Sequence, residues 1–274
     1  MKHKPQAANH GTKKMNERKT PAVPVMGTLI VNGVHWLRKL IASVDHPVEE
    51  FVIINNNGRG QIDAELDELV KEPHEFIRKM RVVHMPGNIG VAGGWNLIIK
   101  SYMMRPYWFI VSHDIEFSPG LVRDMVDRTV FQPSVGMIHI SVSDRRLGSY
   151  ESFIIKDWVV AQYGLFDENC YPAYQEDVEY ILRSMGVRWD ASKLPYKHGG
   201  VDSVEYSTHY ALGGGQTVKE EPELQRFVDR NLNLNEDYLT RRWGGEWWHT
   251  YTGHIDNGHI PWNLTFNRQK YLGF

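Results

Sequence analysis

From Val23 onward, short apolar runs alternate with stretches whose apolar residues recur at helical spacing, and Asn, Gly and Pro punctuate the boundaries. Val23 to Val31 predicts a buried strand closed by Asn32-Gly33, and Trp36 to Val44 predicts a helix. Phe51 to Ile54 predicts a second strand, cut off by the turn cluster Asn55-Asn56-Asn57-Gly58. Ile62 to Met80 predicts a largely helical stretch, and Arg81 to His84 a third strand. Pro86-Gly87-Asn88-Ile89-Gly90 breaks the chain before a helix from about Val91 to Met103, and Tyr107 to Val111 predicts a fourth strand.

Strands separated by crossover helices argue for a parallel sheet covered on both faces. In such sheets ligands sit beyond the carboxyl ends of the strands. Those ends carry the unusual polar residues: Asn32, Asn55 to Asn57, Asn88 and Ser112-His113-Asp114. After Pro133 the pattern changes to short strands, Gly136 to Val142 and Ser152 to Lys156, which predicts an α+β half. A helix from about Asp157 precedes Gly164-Leu165-Phe166-Asp167-Glu168. A loop then leads to Tyr174-Gln175-Glu176-Asp177, and Val178 to Met185 predicts a helix stopped by Gly186. From about Val218 a further helix gives way to a Trp- and Gly-rich tail. The expected organisation is a basic tail over residues 1–22, one main α/β domain over 23–215 and a helical, Trp-rich extension over 216–274 packed on it.

Composition narrows the class. A chain of 274 residues fits one main domain, and a net charge of -2 provides no field to hold a polyanion, so nucleic acid is not an expected partner. Cys170 is the only cysteine, which excludes an intramolecular disulfide and points to a reducing, cytoplasmic setting. Lys2, Lys4, Lys13, Lys14, Arg18 and Lys19 lie in a stretch almost without apolar residues, the signature of a solvated tail. No apolar stretch before Val23 suits a signal peptide, and no run approaches the roughly eighteen apolar residues of a membrane span.

Two acidic constellations carry candidate chemistry. Asp114, with Glu116 nearby, ends an apolar strand, where a carboxylate can take a hard divalent cation that keeps waters and shares phosphate oxygens. A turn or capping Asp before Ser118-Pro119 is the plainer reading. Glu176-Asp177-Val178-Glu179 opens a helix, and Asp177 or Glu176 can serve as a general base toward a hydroxyl, with simple capping as the alternative.

The run Gly87-Asn88-Ile89-Gly90-Val91-Ala92-Gly93-Gly94 joins a strand to a helix N-terminus and could seat a diphosphate. A nicotinamide-dinucleotide oxidoreductase is a rival, weakened by G-x-x-G-x-x-G spacing and by the run's position after the third strand. His198 could complete a metal site with Asp114. His249, His254 and His259 match neither a helix face nor a strand face and read as loop residues. Trp243, Trp247, Trp248 and Trp262 crowd the tail, where indoles pack a core or stack on sugar rings. The sequon at Asn263-Leu264-Thr265 reads as chance.

With these residues in hand, the chain resembles the GT-A glycosyltransferases of the large inverting family 2, especially the rhamnosyltransferase-like branch, and is similar to glycosyltransferases encoded by large algal DNA viruses. Three blocks carry the resemblance. Asn88-Ile89-Gly90-Val91-Ala92-Gly93-Gly94-Trp95-Asn96 is similar to the family's N-x-G-f-a-g-g-x-N. Phe109 to Ile115 stands in the place of the metal-binding D-x-D. Gly164 to Glu168, followed by Glu176-Asp177-Val178-Glu179-Tyr180 and Arg183, is similar to G-x-F-D-E followed by E-D-x-D and an Arg. Arg242-Trp243-Gly244-Gly245 is similar to a K-W-G-G seen after the catalytic domain in some members.

The resemblance implies a GT-A fold, a mixed sheet flanked by helices, and transfer of a hexose or pentose from a nucleotide-diphosphate-sugar donor, UDP-sugar favoured and dTDP- or GDP-sugar open, to a glycan or glycoconjugate acceptor. It implies Asn32 and Asn55 near the base; Asn88, Gly90, Gly93 and Asn96 near the ribose and diphosphate, with His113; Asp114 and His198 at Mn2+ or Mg2+; Asp177 as catalytic base; and Glu176, Tyr174 and Trp243 beside the acceptor. Two departures stand out: Ser112 replaces the first acid of D-x-D, and Asn55 replaces a base-reading Asp. A catalytically silent binding module of the same fold is the alternative. A homodimer is left open, and a virus-encoded enzyme would work in the host-cell cytoplasm.

Overall fold

The computed structural model describes residues 19–140, 150–185 and 216–243. Six strands form one sheet: β1 (Met26–Ile30), β2 (Phe51–Asn55), β3 (Met80–His84), β4 (Tyr107–Ser112), β5 (Met137–Ile140) and β6 (Ser152–Lys156), in the order β3-β2-β1-β4-β6-β5. The first four run parallel, and β6 lies antiparallel between β4 and β5. The sheet is therefore mixed, and the switch from parallel to antiparallel falls where the βα pattern of the sequence ends.

Helices α1 (Val34–Ala42), α2 (Asp63–Leu69), α3 (Gly90–Ser101) and α4 (Leu121–Phe131) accompany the parallel half. Successive residues of a strand point to opposite faces, so Phe51 and Ile53 pack on the face that carries α1 and α4, while Val52 and Ile54 pack on the face that carries α3. That is why the apolar runs are continuous rather than alternating. Gly27 and Gly94 let α3 approach the sheet: a Cβ on Gly94 would lie 1.8 Å from Leu29 Cδ2, and one on Gly27 2.7 Å from Ile98 Cδ1.

Two elements differ from the sequence expectation. The stretch expected to be helical from Ile62 to Met80 is helical only to Leu69, because Pro73 cannot donate to a helix and restricts Glu72, and Ile77 then bridges to Val48 ahead of β3. Conversely, α4 is a full helix where none was expected, with Leu121, Val122, Met125, Val126 and Thr129 buried.

The second half contributes α5 (Asp157–Tyr163), α6 (Glu176–Met185), α7 (Gln216–Glu220) and α8 (Pro222–Trp243). Phe166 and Tyr180 stack at 4.3 Å between ring centroids, and both are fully buried, which seats α6 on the α3 face. No helix among the described residues is long and apolar enough to cross a membrane. The basic tail through residue 18, Gly186, His198, the three later histidines, Trp247, Trp248, Trp262 and the sequon lie outside the described residues, as does the side chain of Trp243.

Candidate active site

The polar residues flagged at the carboxyl ends of the strands do meet there, and most of them hold one another. Asn55 is fully buried at the end of β2; its amide faces Asp63 Oδ1 at 2.6 Å and His84 Nδ1 at 2.8 Å, and its Oδ1 accepts from Asn57 N at 3.1 Å. Asn56 donates to Asn88 Oδ1 at 2.9 Å and accepts from Ile89 N at 2.8 Å, and Asn88 Oδ1 also accepts from Gly90 N at 2.8 Å. The Asn cluster thus ties the turn after β2 to the turn before α3. Gly90 has φ 77°, and a Cβ there would lie 2.8 Å from the Tyr171 ring, so glycine suits both the backbone and the contact. A Cβ on Gly93 would meet Ile89 at an ordinary 3.4 Å.

Asn96, on α3, is 1% exposed and reaches the other motif. Its amide donates to Phe166 O at 2.9 Å and Glu168 Oε1 at 2.8 Å, and its Oδ1 accepts from Phe166 N at 2.9 Å. Its role in the fold is to fasten the Gly164–Glu168 block to α3.

At the mouths of β1 and β4, α7 meets the expected donor residues. Asp114 is buried, and its Oδ2 accepts from Gln216 N at 2.8 Å. His113 Nε2 lies 2.6 Å from Thr217 Oγ1, and burial pulls the imidazole below its ordinary pKa against the opposing pull of Asp114, which keeps the ring neutral. Asn32 donates to Glu221, and Trp36 Nε1 donates to Glu220 Oε1 at 3.0 Å. Arg59 lies 3.8 Å from Glu221. This short helix, unremarked in the sequence apart from its helical periodicity, places a backbone N–H against Asp114. Among the described residues, no group of three or more His, Cys, Asp or Glu side chains could hold a metal ion. Asp114 offers one carboxylate, and a hard cation that keeps waters and takes phosphate oxygens needs little more from the protein.

The acidic pair at the start of α6 is the most perturbed part of the site. Burial pushes Asp177 up to about 6, with backbone N–H groups of Val178 and Tyr150 pulling the other way. Val178 N donates to Asp177 Oδ1 at 2.8 Å. Glu176 is 6% exposed, its Oε2 has no hydrogen-bond partner among the described residues, and burial, reinforced by the Asp177 charge, raises it well above the carboxylate range. Tyr174 is exposed at 42%, and its phenol is raised by burial of part of the ring and by the carboxylates of Glu176, Asp229 and Asp114. Its phenol therefore feels the charge of both acidic constellations.

Behind this pair is a buried ionic cluster with no counterpart in the sequence reading beyond the motif letters. Arg242, on α8, lies 3.1 Å from Asp167 Oδ2 and 3.2 Å from Glu179 Oε1, and both carboxylates are fully buried. Arg183 Nη2 lies 2.7 Å from Glu179 Oε2, and Tyr238 donates to Asp167 Oδ2 at 2.5 Å. The Asp of the Gly164–Glu168 block and the last acid of Glu176–Glu179 therefore bind α8 to the domain rather than facing a ligand. This is also how the Arg242-Trp243 motif connects to the site.

No family model matches the chain. A galactofuranosyl glycosyltransferase of Leishmania donovani is 21% identical over 211 residues, covering 54% of this chain and 49% of the relative. The chain thus spans about half the length of the curated relative it matches. Among solved structures it is similar to GalNAc-T7 with UDP, GalNAc and Mn2+ (TM-score 0.54, 11% identity, 84% of this chain and 49% of that one). It is also similar to the mannosyltransferase PcManGT of Pyrobaculum calidifontis in complex with GDP-Man and Mn2+ (TM-score 0.50, 12% identity, 70% and 59%). TarS of S. aureus, residues 1-349, gives a TM-score of 0.50 at 10% identity over 83% of this chain and 77% of that one. The six-stranded mixed sheet flanked by helices is a GT-A fold.

Proposed function

We propose that the protein is an inverting, metal-assisted glycosyltransferase of family 2 that moves a sugar from a nucleotide-diphosphate-sugar to a hydroxyl of a glycan acceptor. The observation that carries this reading is the buried pair of carboxylates that opens α6, one of them pushed up to about 6 and held by the N–H of Val178 at 2.8 Å. A base with a pKa near the working pH is ionised in the resting protein yet basic enough to accept a proton as it is released.

In the proposed reaction Asp177 takes the proton of the acceptor hydroxyl. The acceptor oxygen forms a bond to the anomeric carbon as the bond from that carbon to the diphosphate oxygen breaks, and the nucleoside diphosphate leaves with the electron pair. Attack opposite the departing group inverts the anomeric centre. A divalent cation such as Mn2+ or Mg2+, if held there, would supply positive charge to the diphosphate leaving group. Asp114 would give it a carboxylate, and His198 is the second protein ligand we assign. Glu176, its carboxyl pushed up by burial, orients the acceptor with Tyr174 and Trp243. Asn32, His113 and the turns held by Asn55, Asn88, Gly90, Gly93 and Asn96 form the nucleotide-sugar wall. The chain acts in the cytoplasm on this reading.

Transferases with GDP-mannose, or with UDP and GalNAc, among the solved structures of this fold support the substrate class. The test is incubation with UDP-, GDP- and dTDP-sugars, with and without Mn2+, followed by nucleoside diphosphate release and by thermal shift. Release that requires the metal is the expected result. A donor that stabilises the protein but never turns over with any offered glycan would make the chain a silent binding module.

A further inference from the structure

The backbone just before Glu176 is in an unusual state. Tyr174 has φ 70° and Gln175 φ 78°, two consecutive non-glycine residues in the left-handed region. Side chains disfavour that region, and such a conformation persists only where the surroundings hold it. Gln175 O accepts from Glu179 N at 2.9 Å in the first turn of α6, so the same residues that carry the strain start the helix that presents Glu176 and Asp177.

The restraint comes from α8. Asn235 of α8 is fully buried, and its amide donates to Ala173 O at 3.0 Å and to Tyr174 O at 2.9 Å. Two hydrogens from one amide therefore grip two consecutive carbonyls of the strained turn. One helical turn earlier, Asn231 is also buried but donates to Phe227 O of its own helix at 2.8 Å. The position of α8 is itself fixed on both sides of Asn235, by Phe227 against Tyr171 at 6.0 Å between ring centroids and by Arg242 against Asp167 and Glu179.

We infer that Asn235 is a positioning residue for the proposed reaction: by gripping the Ala173 and Tyr174 carbonyls it holds the left-handed turn that aims the Glu176-Asp177 carboxylates, making α8 part of the catalytic apparatus. This rests on the transferase reading above. Asn235→Asp keeps the shape of the side chain and turns its two donations into repulsion, because a carboxylate only accepts.

The experiment compares wild type, Asn235→Asp and Asn231→Ala in nucleoside diphosphate release, using whichever of UDP-, GDP- and dTDP-sugar the wild type turns over with Mn2+. Misplacement of a catalytic group by about 1 Å costs up to about a hundredfold, so kcat of Asn235→Asp should fall at least about tenfold with donor KM within about twofold, while Asn231→Ala keeps both. If Asn235→Asp loses its cooperative melt, Asn235→Ala, which removes the donations without adding charge, replaces it. A wild-type kcat in the folded Asn235 variant, or an equal loss in Asn231→Ala, overturns the positioning role. A wild type that releases no nucleoside diphosphate overturns the transferase reading and this inference with it.

Discussion

Asn96 and Phe166, seventy residues apart in the chain, exchange two hydrogen bonds: the Asn96 amide donates to Phe166 O and its Oδ1 accepts from Phe166 N, each at 2.9 Å. Two motifs that look like separate ligand-binding blocks in the sequence are thereby one structural unit. The Phe166 backbone they fix leads through Asp167 and the 173–175 turn to the acids of α6.

Asp177 is the residue whose loss should stop the chemistry. Asp177→Asn retains an oxygen to accept from Val178 N but cannot take a proton, so kcat should fall by about a hundredfold or more with donor affinity little changed. The product should carry the anomeric configuration opposite to the donor. A product with the donor's configuration, read by proton NMR, removes the single-displacement mechanism.

The pH dependence follows from the same residue. Its pKa of about 6 makes the ionised base dominant at neutral pH, so kcat should fall about tenfold per pH unit below about 6. For stability the sign is opposite to that of a salt-bridged carboxylate. The folded pKa lies above the unfolded one, so the folded state binds more protons between about 4 and 6 and this contribution to stability is lost as pH rises through about 6. Asp177→Asn should accordingly be more stable than wild type at pH 7, on the order of 1 kcal/mol or more, in urea unfolding.

The cation role proposed for Asp114 is separable from its hydrogen bond to Gln216 N. Asp114→Asn keeps an oxygen that can accept from Gln216 N, yet it removes the charge a cation needs. Its affinity for UDP measured with Mn2+ should fall well below that of wild type, while affinity without metal stays the same. Equal affinity for both proteins in Mn2+ would take Asp114 out of the metal site.

The buried ionic cluster should be costly to break from the α8 side. Arg242→Met leaves Asp167 and Glu179, both fully buried, with Arg183 the nearest cation to Glu179, and removal of one partner from such a cluster costs about 3–5 kcal/mol. Urea unfolding monitored by tryptophan fluorescence reads that loss. A change of less than about 1 kcal/mol would show that the pairs are loosely held, as surface pairs are.

Gly94→Ala tests the approach of α3 to the sheet. The added Cβ would lie 1.8 Å from Leu29 Cδ2 and 2.5 Å from its Cγ, so strand or helix must shift. Overpacking of this kind costs about 1–3 kcal/mol, against the small gain in helix propensity that alanine brings at an open site.

Much of this molecule is determined by local pattern. The apolar runs at Phe51–Ile54 and Trp108–Val111, the glycines before α3 and the Asn-rich turn specify parallel strands with covered faces and polar ends, because periodicity and turn chemistry are properties of neighbouring residues. The acidic pair at Glu176-Asp177 is legible for the same reason. The helical expectation past Leu69 and the unread α4 mark the edges of that information, where Pro73 and the strand bridge at Ile77 override a helical spacing and where amphipathic spacing passes unnoticed among charges. Tertiary structure alone decided what the polar residues hold. Nothing local says that Asn88 serves the turn after β2, that Asn96 binds Phe166, or that Arg242 pairs with Asp167 and Glu179. Nor does spacing reveal that Asp114 receives the N–H of Gln216 from 102 residues away, or that Asn235 grips the turn before the proposed base. A buried donor must find an acceptor wherever the folded chain brings one within 3 Å or so, and that partner is chosen by the packing of whole elements, not by the residues beside it in sequence.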